Sequence, residues 1–350
     1  MNFIKLNTQY YCGIDLHARS MYICVMNKQG DILLHRNLRT EFREFKRKVH
    51  KFLPDLSVGV ESTYNYYWLA DACKHDGIPF YLGHAYYMKT IHGGKKKNDK
   101  LDSRKLADLL RSNHFPLAYA YPDDLRPARD LLRRRHRYAA IRAEAYTHIQ
   151  TTFHQNGKTI HPSAVKDKKQ RHLLSDEFKE QSIRNTIEAD LDMICFLDPK
   201  IQSLELLIRQ TARGNDQIAI NILRSIPGVG DMLSLIILYE IHDISRFPTV
   251  QQFCSYARLV RGSYESAGKK VGRGKAKIGN HFLKYAIAEI IMKAATSSKE
   301  IEQYYNRLES QNGKARAKTI ISHKFGIAIY YMLKNKKVFD AKQFVKSNMK

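Results

Sequence analysis

Two short apolar runs each carry a carboxylate, in Cys12-Gly-Ile-Asp-Leu-His17 and in Val58-Gly-Val-Glu61. An ionised side chain flanked by residues that seek burial is costly unless a cation or a set of donors offsets it. Asp15 and Glu61 are therefore candidates for a cation site, and Asp15 could equally bond to a neighbouring backbone. The pattern around them is α/β: strand and helix signals alternate through roughly the first 115 residues. Tyr11 to Met26 is strand-like, Asn27-Lys-Gln-Gly30 has turn chemistry, and Asp31 to Leu38 reads as the returning strand. Phe42, Phe45, Val49 and Phe52 at helical spacing predict a helix over Glu41 to Leu53, stopped before Pro54. Strands are expected at Leu56 to Glu61 and Ile78 to Leu82, with a helix over Tyr64 to His75 between them.

Beyond this stretch the pattern turns helical. One helix is predicted near Asp102, carrying Leu106, Leu109 and Leu110, and a second from Pro127 past Arg142. Ile187, Ile194, Ile201 and Ile208 recur every seven residues, with Leu197 and Leu204 between them, as in a coiled-coil seam. Pro199 falls inside that seam and predicts two helices or a kinked one. The seam suits either a helical hairpin within the chain or a contact between copies. The last 130 residues lack period-two alternation and are expected to be mostly helical, with segments at Asn215 to Leu223, Asp231 to Ile241, Val250 to Leu259, Asn280 to Ala295 and Lys314 to Leu333.

Charge narrows the partners. The 350 residues hold 59 Lys and Arg against 34 Asp and Glu, a formal net charge of +25. Cations in that excess favour a polyanion, because each neutralised phosphate releases condensed counterions, so nucleic acid is the expected partner. The charge is clustered: Lys89 to Arg142 holds fifteen Lys or Arg against six Asp. Lys95, Lys96, Lys97, Arg104, Arg133, Arg134 and Arg135 are its candidate nucleic-acid contacts. No apolar run is long enough to span a bilayer, and Met1 to Tyr10 has no secretory pattern. Cys12, Cys24, Cys73, Cys195 and Cys254 form no CxxC pair, so free thiols in a reducing cytoplasm are expected.

Three places could carry chemistry. Asp99 and Asp102, three residues apart in Asn98-Asp-Lys-Leu-Asp-Ser-Arg104, would share a helix face or its entry and join Asp15 and Glu61. Four such oxygens suit a hard divalent cation, Mg²⁺ first and Mn²⁺ second, of the kind that stabilises phosphoryl transfer. Asp102 would serve equally as the N-cap of the helix holding Leu106, and Asn98 with Asp102 could complete the set without Asp99. Next, Ser225-Ile-Pro-Gly-Val-Gly-Asp231 has the look of a helix-hairpin-helix turn, in which Gly228 and Gly230 let backbone N–H groups seat a phosphate. Third, Gly262 to Asn280 is a Gly-rich basic loop in which Ser266 lies near Lys269, Lys270, Arg273, Lys275 and Lys277. A hydroxyl there could attack a phosphate whose charge those cations stabilise, or the loop could simply grip phosphate.

Gly13-Ile-Asp15, Val60-Glu61-Ser-Thr63, Asn98-Asp99-Lys-Leu-Asp102-Ser-Arg104, Ile226-Pro-Gly-Val-Gly230, Phe253 to Leu259 and Ser266-Ala-Gly-Lys269 stand in one order along the chain. In that order they resemble the DEDD transposases of the insertion-sequence-110 group, described as bridge-RNA-guided recombinases. The resemblance implies a RuvC-like, ribonuclease-H-type α/β domain over 1–165, a helical coiled-coil connector over 166–215 and a mostly α-helical transposase domain with the helix-hairpin-helix-like element over 216–350. It implies that Asp15, Glu61, Asp99 and Asp102 hold Mg²⁺ and that Ser266 forms a transient phosphoserine link to DNA. It further implies donor and target DNA, a guide-type non-coding RNA and a homo-oligomer, dimer or tetramer, with active sites shared between copies. The setting it implies is the cytoplasm of a prokaryote, at the nucleoid. Tyr64, Tyr66, Tyr67, Tyr86 and Tyr87 could stack on unpaired bases. Where the family usually has Ser-Gly-Gly this chain has Ser266-Ala267-Gly268, which keeps Ser263 as a rival nucleophile. Two other readings use the same residues: a RuvC-like nuclease or junction resolvase working by water attack, and a non-catalytic nucleic-acid-binding protein with structural carboxylates.

Overall fold

The structure is a computed structural model that describes residues 3–91, 98–212, 216–260, 263–266, 269–273 and 278–346, with 89–91, 263–266 and 269–273 described through their backbone. Two compact units divide the chain, Met1–Asp124 and Leu125–Lys350. The boundary drawn from the sequence at residue 165 falls inside the second unit.

In the first unit, strands β1 (Tyr10–Leu16), β2 (Ser20–Asn27) and β3 (Ile32–Arg39) are followed by helix α1 (Phe42–Val49), β4 (Leu56–Glu61), α2 (Tyr67–His75), β5 (Phe80–Gly83), α3 (Ala85–Ile91) and α4 (Asp99–Arg111). The five strands form one mixed sheet in the order β3-β2-β1-β4-β5, antiparallel through the first three and parallel from β1 to β5. The single strand expected over Tyr11 to Met26 is instead two, folded back at 17–19, where His17 N donates to Ser20 O at 2.9 Å. Polar His17, Arg19 and Ser20 interrupt the apolar run there, which the strand reading overlooked.

Alternation along β1 sorts its side chains. Cys12, Ile14 and Leu16 bury on one face with Val58, Val60, Leu69, Cys73 and Phe45, while Tyr11 buries on the other with Leu106, Leu109 and Leu110 of α4. Gly13 lies on the α4 side, where a Cβ would overlap Ala107 N and Ser103 O. Only a hydrogen at that position lets the helix backbone settle onto the strand. Both ends of the helix are tied down: His35 Nε2 of β3 is 2.9 Å from Lys100 O, and Arg111 Nη1 donates to Lys28 O at 3.4 Å. Asn98 is the N-cap of α4, its side chain accepting from Lys100 N at 2.9 Å. The cap expected at Asp102 is therefore corrected; the helix begins earlier, and both Asp99 and Asp102 lie within its first turns.

The second unit opens with α5 (Arg126–Gln155), α6 (Pro162–Lys166) and α7 (Gln181–Thr211). Ile187 and Ile194 of the seven-residue seam, with Leu191 between them, pack on Ala145, Ile149 and Phe153 of α5, so this part of the seam closes a hairpin within the chain. α7 runs as one helix through Pro199, which removes the two-helix alternative. A mid-helix proline costs about 3 kcal/mol, but Ile194, Leu197 and Ile201 are buried around it. The adjacent buried Asp198 also accepts from Arg142 Nη1 at 2.7 Å and Arg171 Nη1 at 2.9 Å, which holds this turn in the helix.

The rest is α8 (Gln217–Arg224), α9 (Asp231–Ile241), α10 (Val250–Tyr256), a hairpin of β6 (Ser263–Ser266) and β7 (Lys269–Arg273), then α11 (His281–Ser297), α12 (Lys299–Asn312), α13 (Lys314–Asn335) and α14 (Ala341–Lys346). The hairpin stands in the stretch read from the sequence as a Gly-rich basic loop. Its strands are four and five residues long and rich in Ser, Lys and Gly, so they offer no apolar alternation to read. Among the described residues no helix is long and apolar enough to cross a membrane.

Gly13→Ala is expected to destabilise the first unit by about 3 kcal/mol, an overpacking cost, measured as a lowered urea midpoint for that unit with the second unit's transition unchanged.

Candidate functional site

In the parallel register of β1 and β4, Ile14 pairs with Val60, so Asp15 and Glu61 come next at one level on neighbouring strands. Val58 and Val60 share the face of Ile14, which leaves Glu61 and Asp15 on the opposite face, beneath α4. Glu61 also pairs in register with Gly83 of β5 and is half-buried. Asp99 and Asp102 come from α4 above. The sequence has thus brought three separated segments to one sheet edge.

The tightest part of this edge contains a residue that sequence reasoning missed. His17 Nε2 is 3.3 Å from Asp15 Oδ2 and 3.6 Å from Asp99 Oδ2. Asp15, His17 and Asp99 present ligand atoms all within 4.8 Å of one another. Asp102 is engaged by Lys105 Nζ at 3.2 Å. The signal for His17 was its closeness in sequence: it follows Asp15 by two residues, just past the end of β1.

Burial pushes the Asp15 carboxyl above its ordinary range; the charge of His17 pulls it down, and those of Asp99 and Asp102 push it further up. Carboxylates crowded this way have the electrostatics of a cation site. With oxygen donors from Asp15 and Asp99, more from Glu61 and Asp102 nearby, and an imidazole nitrogen, the donor set fits a divalent metal ion.

The candidate nucleic-acid residues have varied settings. Arg104 is exposed on α4, and Arg134 is exposed on α5. Arg133 turns inward: its Nε donates to Glu240 Oε1 at 2.7 Å, and its guanidinium lies 4.6 Å from the Phe282 ring centroid. Arg135 donates to Glu205 Oε1 from Nη2 at 2.7 Å. Lys95, Lys96, Lys97, Lys275 and Lys277 lie outside the described residues. Tyr64 is 84% exposed, whereas Tyr66 is buried in the sheet core.

Gly228 and Gly230 occupy the turn between α8 and α9. Gly228 has φ +75°, and a Cβ there would come within 2.6 Å of Lys293 O, so the turn is pressed against α11. Gly230 is the N-cap of α9, with open space beside it. Asp231, the first residue of that helix, faces Arg224 at 3.3 Å and Arg209 at 3.7 Å, so an acidic side chain shares the N-terminus that the sequence suggested for phosphate.

Ser266 ends β6 and pairs with Lys269 across the tip; Lys270 and Arg273 follow on β7, and Ser263 pairs with Arg273 at the far end. The base of this hairpin segment is anchored. Asn280 N donates to Tyr256 O at 2.6 Å, Arg258 Nε donates to Gly279 O at 2.7 Å, and Asn280 Nδ2 donates to Glu240 Oε2 at 2.7 Å. Glu240 is only 2% exposed. Burial alone would raise its carboxyl, but the Arg133 hydrogen bond, the Arg129 and Arg133 charges and Asn280 outweigh it and hold the group below its ordinary range.

Because the folded state raises Asp15, it loses stability as pH climbs through the ordinary carboxylate value and the unfolded chain ionises first. Asp15→Asn is therefore expected to raise the melting temperature of metal-free protein at neutral pH. The gain should fade below about pH 4, where the group is neutral in either state; calorimetry across pH checks this.

Two family models match the chain in order. Residues 12–156 match a DEDD transposase model of the IS110 group, and residues 220–306 match one described as the transposase IS116/IS110/IS902 family. No curated protein matches the chain. The first match runs through Asp15, Glu61, Asp99 and Asp102, and the second through the Gly228 turn and the Ser266 hairpin. The chain belongs to the IS110 family of transposases, enzymes of mobile elements that cut and rejoin DNA.

Proposed function

We propose that this transposase cuts DNA with Ser266 as nucleophile, assisted by a divalent ion, Mg²⁺ first and Mn²⁺ second, held by Asp15, Glu61, Asp99 and Asp102. The observation that carries the reading is the meeting of Asp15 and Glu61 on adjacent parallel strands beneath a helix bearing Asp99 and Asp102. The strand order β3-β2-β1-β4-β5 with that acidic edge supports a RuvC-like, ribonuclease-H-type assignment for the sheet. The functional division we propose is a metal module over 1–165, a helical connector over 166–215 and a transposase module over 216–350.

When bound, the ion supplies Lewis-acid stabilisation of charge on the phosphate oxygens. The protein's own residues do the rest. Asp15 and Glu61, fixed on rigid strands, and Asp99 and Asp102, fixed on a capped helix, hold their oxygens in place before substrate arrives, which avoids reorganisation during the reaction. Ser266 Oγ gives up its proton and forms a bond to phosphorus as the P–O bond to a deoxyribose oxygen breaks and that oxygen takes a proton. The phosphoserine link keeps the energy of the broken bond, so attack by a DNA hydroxyl on the same phosphorus rejoins strands and frees the serine. Lys269, Lys270 and Arg273, on the strand after Ser266, suit the charge of the five-coordinate state.

The wider reading follows from the family resemblance and the net charge of +25. DNA is read through a guide-type non-coding RNA, with the protein gripping backbone and shape while base pairing chooses the sequence. Copies assemble as a dimer or tetramer that shares active sites, in the prokaryotic cytoplasm at the nucleoid. Arg104, Arg134 and the lysines of 95–97 and 275–277 are the cations we assign to phosphate.

Incubation with nicked or suicide DNA substrates tests the nucleophile: wild type should yield a protein–DNA adduct resistant to denaturant, and Ser266→Ala should lose it by at least a hundredfold. An adduct that survives in Ser266→Ala and vanishes in Ser263→Ala would transfer the role to Ser263. Hydrolysed ends at full rate in Ser266→Ala would point to a water-using nuclease instead. Asp15→Asn or Glu61→Gln should abolish cleavage while DNA binding persists. That binding should fall with salt at a log–log slope near −0.9 per duplex phosphate contacted.

A further inference from the structure

We propose that His17 is itself a ligand of the ion held by Asp15 and Asp99, and that its nitrogen tilts the site from Mg²⁺ toward first-row transition ions such as Mn²⁺. The inference rests on the metal reading above and adds a donor that the four-carboxylate set does not contain.

The geometry comes first. His17 Nε2 lies 3.3 Å from Asp15 Oδ2 and 3.6 Å from Asp99 Oδ2. In an octahedral site with bonds of about 2.1 Å, neighbouring ligand atoms are about 3 Å apart. Three donors already within 4.8 Å of one another therefore need only small adjustments to occupy adjacent corners. Lys105 sits on Asp102, so of the side chains whose partners are described at this edge, the imidazole is the one inserted between the two carboxylates.

The ring is held where it is by backbone. His17 N donates to Ser20 O at 2.9 Å, closing the turn that ends β1, and His17 O accepts from Thr40 Oγ1 at 3.1 Å. A residue anchored at both its N–H and its C=O, just past the end of β1 and two positions beyond Asp15, has its Cα fixed relative to that acid. Its side chain remains 49% exposed, so a ligand can reach the ring without rearranging the core.

Selectivity follows from donor chemistry. Mg²⁺ prefers oxygen and gives up its waters reluctantly, whereas imidazole nitrogen suits transition ions. A neutral imidazole adds a ligand without adding charge, so it changes which ion is preferred more than how strongly the carboxylates attract any dication.

The test uses full-length protein titrated with Mn²⁺ and followed by electron paramagnetic resonance, with Mg²⁺ as competitor and pulsed spectra to detect ¹⁴N bound to Mn²⁺. Wild type should show the modulation of one imidazole. His17→Ala should remove it, weaken Mn²⁺ binding about tenfold, and change Mg²⁺ binding less than threefold. His17→Asp should move the preference toward Mg²⁺ by supplying oxygen in place of nitrogen. Because the ring is half exposed, His17→Ala should stay folded, while His17→Asp, which adds a carboxylate to the cluster, should melt lower without metal and regain stability when Mg²⁺ is added. Mn²⁺ bound without the nitrogen signal, or Mn²⁺ and Mg²⁺ weakened equally in His17→Ala, would overturn the role of His17 while leaving the carboxylate site standing. Asp15→Asn separates the two ideas: binding unchanged in that variant, or absent in wild type, would remove the metal reading itself and His17 with it.

Discussion

The close seating of α4 on β1 is the constraint from which the first unit's chemistry follows. A helix backbone can approach a strand this nearly only where the strand has no side chain, and Gly13 is that place. Two residues further along the same face comes Asp15, and the first turns of the helix overhead supply Asp99 and Asp102. The apolar contacts of Leu106, Leu109 and Leu110 with Tyr11 hold the helix down, while His35 and Arg111 tie its two ends to the sheet. Burial of leucines thereby offsets the repulsion of carboxylates brought together.

The second unit handles charge in another way. Several of its arginines are structural: Arg133 with Arg129 neutralises the buried Glu240, Arg135 takes Glu205, and Arg142 with Arg171 takes Asp198. Removing one partner from such a cluster strands a buried charge, so these positions resist substitution for reasons unrelated to nucleic acid. Glu240 does more than balance arginines, since through Asn280 it fixes the point where the Ser266 hairpin segment joins α11. A short polar hairpin has little core of its own, so hydrogen bonds at its root do what apolar burial does elsewhere.

Much of this was open to reading residue by residue. The β4 strand, the amphipathic helix α4 and the seven-residue seam of α7 announce themselves through period and composition, because burial of one face leaves a periodic trace. Other features left none. The turn at His17 to Arg19 splits what looks like one apolar strand, since a three-residue reversal carries too few residues for a period. Pro199 stays helical because neighbours on α5 and the arginines on Asp198 outweigh its local cost. The β6–β7 hairpin is built from Ser, Lys and Gly, which carry no alternation to detect.

By itself the sequence determined the types of the long elements, the basic character of the chain, and the four acids and the serine worth watching, because each of these is a local property of residue chemistry and spacing. Tertiary structure alone decided which groups meet. Whether Arg133 faces solvent or Glu240, whether Asn98 or Asp102 caps the helix, and whether His17 stands between two carboxylates all depend on atoms brought together from distant segments. Electrostatics and hydrogen bonding act across ångströms of space rather than along the chain, so such choices become visible only once the chain has folded.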